Sequence, residues 1–244
     1  MTTISVDMIK KLRDATQVSM MDCKKALTEA HGDFDTAVEI LRKKGASVAA
    51  KRAENATNNG NIQVSIAPDF RSGAIVEVAC ETDFSANTED MRNFAQSSCN
   101  HILASKADTM NGVGDAALME EKTFNGLSLS TMLSDLIAKI AENIKITRFA
   151  KMKSANGIVN GYMHGSTMGI LVELAVAGER PADITALVQA AKDVAMQIAV
   201  TRPLCVSPDQ LDAAVVAKES EIYAEQLRAE GKPAFYVNVE TDEI

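Results

Sequence analysis

Few residues of this 244-residue chain are placed to do covalent chemistry. Its four cysteines, Cys23, Cys80, Cys99 and Cys205, are scattered with no C-x-x-C pair, the pattern of reduced thiols rather than of a disulfide or zinc framework. Cys99 and His101 stand two apart and would leave a helix on different sides. The three histidines are far from one another in sequence, so no metal set is expected. No G-x-x-x-x-G-K-S/T loop is present to cradle phosphates, and nucleotide hydrolysis is not expected. Gly165-Ser-Thr-Met-Gly169 has the glycine spacing of a nucleophile elbow, but threonine stands at its centre. It also lies between two strand-like runs, where a hairpin turn is the better account. His164, beside it, has no acid near it in sequence to pair with. No catalytic residue, metal site or cofactor is expected, and the chain reads as a binding protein rather than an enzyme.

One tripeptide stands out by position. Thr82-Asp83-Phe84 follows a strand-like run ending at Ala79-Cys80 and precedes a helical run from Thr88. Threonine and aspartate are ordinary turn and cap residues, and Phe84 could fill the core. The alternative is a tip that presents an acid and an aromatic to a partner.

The elements that must carry these residues follow from periodicity. Residues 1–45 read as three short helices. Ile9, Leu12 and Arg13 share a face of the first, Ser19 caps the second with Asp22 in its first turn, and Gly32 stops it. Asp33 caps the third, where Phe34, Ala37, Val38 and Leu41 recur at helical spacing before a stop at Gly45. Lys43 to Asn61 reads as a connection. Its basic stretch, residues 42–52, is either a solvated helix end or a docking patch.

The body holds an internal repeat. Gly73-Ala-Ile-Val-Glu-Val-Ala matches Gly169-Ile-Leu-Val-Glu-Leu-Ala at an offset of 96, each preceded by a strand-like run after a glycine and followed by a helix, Thr88–Ser105 or Pro181–Val200. In the second copy the tripeptide's equivalents are Gly178, Glu179 and Arg180, so only one copy carries an aromatic there. Each copy is expected to be an antiparallel hairpin plus helix, which makes the fold class α+β. Leu127–Ile144 reads as a helix, Met110–Asp115 as a loop, and Ser207-Pro-Asp-Gln210 as the start of a helix running to Glu230. The last eleven residues read as extended. The expected divisions are 1–55, 56–153, 154–206 and 207–244.

Composition narrows the partners. The net charge is −8, with 13 acidic against 6 basic residues in 154–244, which disfavours binding along a nucleic-acid backbone. There is no tryptophan and only 4% aromatic content, too little for a base-stacking surface. No apolar run is long enough to span a bilayer, and Asp7, Lys10, Lys11, Arg13 and Asp14 interrupt any signal-peptide stretch. A cytoplasmic location is expected.

Taken in order, several segments resemble the bacterial translation elongation factor Ts family. They are Leu12-Arg-Asp-Ala-Thr16, Met20-Met-Asp-Cys-Lys-Lys-Ala-Leu27, Gly32-Asp-Phe-Asp-Thr-Ala-Val38, Val78-Ala-Cys-Glu-Thr-Asp-Phe84, Ala138-Lys-Ile-Ala-Glu-Asn-Ile144 and His164-Gly165. The resemblance covers about residues 5–232. It implies a ubiquitin-associated-like three-helix N-terminal module, two related core subdomains and a protruding helical arm. It also implies guanine-nucleotide exchange on elongation factor Tu, bound in its GDP and nucleotide-free forms. Thr82, Asp83, Phe84 and Ser85 would disturb the partner's magnesium site. Arg13, Met20, Met21 and Lys24 would dock on its nucleotide domain, with one of the two methionines expected in the core, and His164 would serve the second subdomain.

Three departures from the family pattern stand out. Thr16-Gln-Val-Ser19 replaces a glycine-containing turn, Ser85 replaces a valine, and Ala234 to Ile244 does not resemble the family's C-terminal segment. From the last, either the second half is less stable than the first or a homodimer completes it. A partner that binds elongation factor Tu without efficient exchange is the rival function, and an unrelated enzyme or RNA-binding module the third.

Overall fold

In the computed structural model, which describes residues 4–105, 110–112, 119–120, 122 and 126–232, side-chain caps start the first three helices. In α1 (Val6–Thr16) the Ser5 hydroxyl accepts the Met8 N–H. In α2 (Met20–Glu29) Ser19 accepts that of Asp22, and in α3 (Phe34–Arg52) the Asp33 carboxylate accepts that of Thr36. Each cap satisfies an N–H with no partner inside its helix. The glycine-free turn after α1 is managed by Gln17, which itself adopts a left-handed φ of 57° and donates its N–H to the Arg13 carbonyl. Gly32, at φ 90°, ends the α2 turn as expected. Leu12, Cys23, Leu27, Ala37 and Leu41 are buried together, whereas Arg13 is exposed rather than sharing their face.

The third helix does not stop at Gly45. It runs on to Arg52, and the expected connection shrinks to the few residues before Asn59. The reason is packing. A Cβ on Gly45 would lie 2.7 Å from Cβ of Ala138, on the helix that crosses α3 there. The glycine makes room for a neighbouring helix instead of breaking its own.

The larger sheet is antiparallel in the order β1 (Asn59–Ile66), β2 (Ser72–Cys80), β4 (Ile144–Lys153), β3 (Met110–Gly112). Two of these strands correct the sequence reading. Met110–Gly112 belongs to a strand rather than a loop, the rest of that loop lying outside the described residues. Strand β4 was not expected at all. Its signal is an alternation of buried Ile144 and Ile146 with exposed Lys145. The alternation changes phase at the bulge opposite Glu77 and Val78 and continues with exposed Arg148 and buried Phe149. Short α4 (Asp83–Ala86) and long α5 (Glu89–Ala104) follow β2. Met91, Phe94, Ala95 and Ile102 of α5 share one buried cluster with Ala74, Val76 and Val78 of β2. Helix α6 (Leu129–Ile140), the one crossing Gly45, adds Leu136 and Ile137 to that cluster. It ends earlier than the expected Ile144 because Ala141 turns left-handed, at φ 59°.

The repeated segment forms a second hairpin, β5 (Ile158–His164) with β6 (Met168–Leu174), followed by α7 (Thr185–Thr201). Its turn is the Gly165–Thr167 segment that resembled a nucleophile elbow. The hairpins meet face to face and reciprocally. The space over Gly73 is filled by Val159 and Leu171 of the second hairpin, and that over Gly169 by Ile62 and Ile75 of the first. Among the described residues the copies are not equal, since the first sheet gains β4 and β3 while the second has two strands.

Those elements belong to one unit, Met1–Val200, and Thr201–Ile244 forms another. In the second unit Ser207 starts only a short 3-10 turn, Pro208–Gln210, its hydroxyl bonding the Asp209 carboxylate. The helix proper, α8 (Ala213–Ala229), begins three residues later with Asp212 as its cap. Gly231, at φ 72°, follows its end. The expected extended tail, residues 234–244, lies outside the described residues.

Candidate functional site

The Thr82–Ser85 segment is an exposed turn on a heavily bonded base. Thr82 is the N-cap of α4, its hydroxyl accepting the Ser85 N–H at 3.2 Å, so it does what a cap threonine ordinarily does. Phe84 does not fill the core. Its surface is 81% exposed, and the Asp83 side chain beside it accepts the Phe84 N–H at 2.9 Å. Ser85 and Ala86, by contrast, are buried.

The base is held from three directions. The Glu81 carbonyl accepts from the Asn59 side chain at 2.9 Å, and the Ala86 carbonyl from the wholly buried Asn61 at 3.4 Å. The Glu81 carboxylate accepts from the backbone N–H of Asn143 at 2.6 Å, from Arg52 at 3.0 Å and from Asn55 at 3.0 Å. Glu142 then takes three donors: the Thr82 N–H at 3.2 Å, the Thr82 hydroxyl at 2.7 Å and the Ser85 hydroxyl at 2.7 Å. Asn143, nearly fully buried, donates its side-chain amide to the Ala53 and Asn55 carbonyls beyond the end of α3.

Strand register explains why these residues meet. Cys80 of β2 pairs with Ile144 of β4. Continuing an antiparallel ladder by one and two residues sets Glu81 against Asn143 and Thr82 against Glu142. Among the described residues the second repeat has no such support in its two-stranded sheet. Arg180, at its tip-equivalent position, donates instead to the Asp69 carbonyl in the β1–β2 turn at 2.6 Å.

The basic stretch 42–52 is tied into the same framework. Lys44 pairs with Asp22 of α2, Arg42 lies 3.5 Å from Asp135 of α6, and Arg52 holds Glu81. It is helix rather than linker, and three of its charges are used within the chain, while Lys43 and Lys51 stay exposed. Helix α3 therefore runs from the N-terminal helices to the base of the tip.

The other candidate residues stand on different elements. Met20 and Met21 are 37% and 64% exposed, so neither is core, contrary to the expectation for one of them. Both methionines and Lys24 lie on α2, and Lys24 is exposed, as is Arg13 on α1, where it pairs with Asp14 at 3.2 Å. His164 is exposed at the end of β5, its Nδ1 3.1 Å from the Tyr162 hydroxyl.

Nothing in this arrangement is set up for covalent catalysis. Burial, with the Glu142 carboxylate adding to it, pushes the Cys80 thiol up to about 11, far from a nucleophile's range. Burial does the same to Cys99, also to about 11. Among the described residues no group of three His, Cys, Asp or Glu could hold a metal, and no helix is long and apolar enough to cross a membrane. What the site offers is a preorganised aromatic and a carboxylate at the apex of a fixed turn, the form of a docking element.

The Glu81 carboxyl is held below its ordinary value of 4.5, first by the Asn143 N–H and then by Arg52 and Asn55. A lowered folded-state value stabilises the fold above the unfolded value, and that stabilisation is lost as pH falls through the folded one. We therefore expect Glu81→Gln to be less stable than wild type at about pH 7, with the gap closing as pH falls below about 4.5. Denaturant unfolding at a series of pH values checks this, and a gap constant with pH would refute it.

Comparison with known proteins identifies the family. The family described as Elongation factor TS matches residues 81–239, from the base of the tip onward. The elongation factor Ts of Clostridium botulinum (strain Eklund 17B / Type B) is 41% identical over 231 residues, covering 94% of this chain and 73% of that protein. That of Methylococcus capsulatus is 40% identical over 232 residues, covering 95% and 74%. That of Chlorobium phaeobacteroides is 40% identical over 239 residues, covering 98% and 81%. The chain is thus similar to translation elongation factors along nearly its whole length. It belongs to the elongation factor Ts family.

Proposed function

We propose that this protein is a guanine-nucleotide exchange factor for elongation factor Tu, acting through contact alone and in the cytoplasm. The observation that carries the reading is Phe84, 81% exposed on a turn whose base is locked by Glu81, Glu142 and Asn61. Magnesium bridges and neutralises the phosphates of a bound nucleotide. A rigid wedge that displaces the residues holding that ion weakens GDP binding without touching GDP. By linkage, GDP weakens binding of the wedge by the same factor, so the complex cycles.

Thr82 and Ser85 set the geometry of the wedge, and Asp83 and Phe84 make its contacts. Arg13, Met20, Met21 and Lys24 form a second contact, the exposed thioethers adapting to an apolar surface. His164 supplies a third, on the second hairpin. The functional divisions in this reading are 1–55, 56–153, 154–206 and 207–244.

The test follows release of a fluorescent GDP from purified elongation factor Tu, with and without this protein. Acceleration of release supports exchange. Binding without acceleration replaces the exchange reading with that of a stabilising partner, and absence of binding refutes both.

A further inference from the structure

We infer that Glu142 is a positioning residue for exchange: it holds the Thr82–Ser85 turn in the one conformation that presents Phe84. The inference rests on the exchange reading above and extends it to a residue 60 positions away that contacts the partner nowhere in that reading. Three donors converge on the Glu142 carboxylate, one backbone and two hydroxyl, and all belong to the tip. The acceptor itself sits just past the left-handed Ala141 that ends α6 and just before the buried Asn143. Its own backbone is therefore anchored on both sides, and it transmits that order to a turn only four residues long. Hydrogen bonds to an ionised acceptor are about twice as strong as neutral ones, and a bridging carboxylate spans both ends of the turn at once. With Glu142 gone, Thr82 keeps its cap role but the two hydroxyls and one N–H lose their shared partner, and the exposed Phe84 samples other directions.

Two substitutions test this. Glu142→Ala removes the carboxylate. Glu142→Gln keeps its shape but loses the charge and leaves one of its two atoms unable to accept, and it carries the test should the alanine variant not fold. Amide hydrogen exchange across residues 82–86 is expected to quicken on the order of tenfold in either variant, with the amides of α5 unchanged. That measurement does not depend on elongation factor Tu. Wild-type protection of the tip in both variants overturns the positioning role, whatever GDP release does. The second readout is the rate of GDP release at saturating protein. Each variant is expected to lower it, and combining Glu142→Gln with Phe84→Ala should be no slower than Phe84→Ala alone, because both act through one ring. Losses that add, or a wild-type rate in Glu142→Gln beside a slow Phe84→Ala, overturn the inference while leaving the exchange reading intact. If wild-type protein fails to accelerate release, the exchange reading falls, and this role in exchange with it.

Discussion

Phe84→Ala is expected to slow GDP release from elongation factor Tu by roughly 30-fold or more while leaving the melting temperature of this protein unchanged. The two halves of that expectation have one cause. At 81% exposure the ring contributes almost no packing to its own fold, so truncation opens no cavity. A large aromatic that becomes buried only in a complex is the usual form of an interface hot spot, worth about 2 kcal/mol or more on truncation. The turn beneath it keeps its Glu142, Asn61 and Asn59 contacts, so nothing else in the site moves. Stopped-flow release with labelled GDP, paired with a thermal melt, measures both halves. A variant that releases GDP at the wild-type rate would remove the tip from the mechanism.

Gly157→Ala is expected to be the most damaging single-methyl change in the core. A Cβ at this position would lie 1.8 Å from the carbonyl oxygen of Leu174 and 2.9 Å from Cα of Ala175. Both atoms are backbone of the partner strand, so no rotamer change relieves the overlap and the start of the β5–β6 hairpin must be forced apart. Gly60 stands in the same relation to Val78 and Ala79 in the first copy, at 2.4 Å and 3.1 Å. The repeat therefore keeps a glycine where one strand passes closest to the other. The cost is at least about 3 kcal/mol, the upper range of overpacking. For a unit of this size that is a fall in melting temperature on the order of 10 °C. Calorimetry or circular dichroism would show it, and a variant as stable as wild type would mean that the strands sit further apart than described.

The consequences for the two halves differ. In the first copy the strand carrying the tip lies between two neighbours, and one of them, β4, delivers Glu142 and Asn143. In the second copy, among the described residues, β6 pairs with β5 alone, and the equivalent tip is Gly178, Glu179 and Arg180. Among the described residues, the exposed aromatic stands on the copy whose hairpin is flanked by a further strand.

Much of the local structure was legible in the sequence. Ser19 and Asp33 cap helices as their types and positions require, Gly32 ends α2, and the two glycine-led runs form hairpins. Each of these depends on residues within a few positions of one another, and their preferences are intrinsic to backbone and side chain. The order of motifs likewise pointed to the family.

The errors arose where distant segments meet. Gly45 has the type of a helix stop, yet it lies within a helix because Ala138 needs the space. One of the two methionines was expected in the core, yet both side chains are exposed, and Cys23, Ala26 and Leu27 make up the buried side of α2. Strand β4 hides its alternation behind lysine and arginine, and Ser207 yields its cap role to Asp212. The sequence by itself determined the helices, the hairpins, the duplicated plan and an aromatic at one of its two tips. Only the tertiary structure decided that Glu142 and Asn143 would support that tip. Nothing within a few residues of Thr82 specifies a partner 60 positions away, and the antiparallel register of β2 on β4 brings the two together.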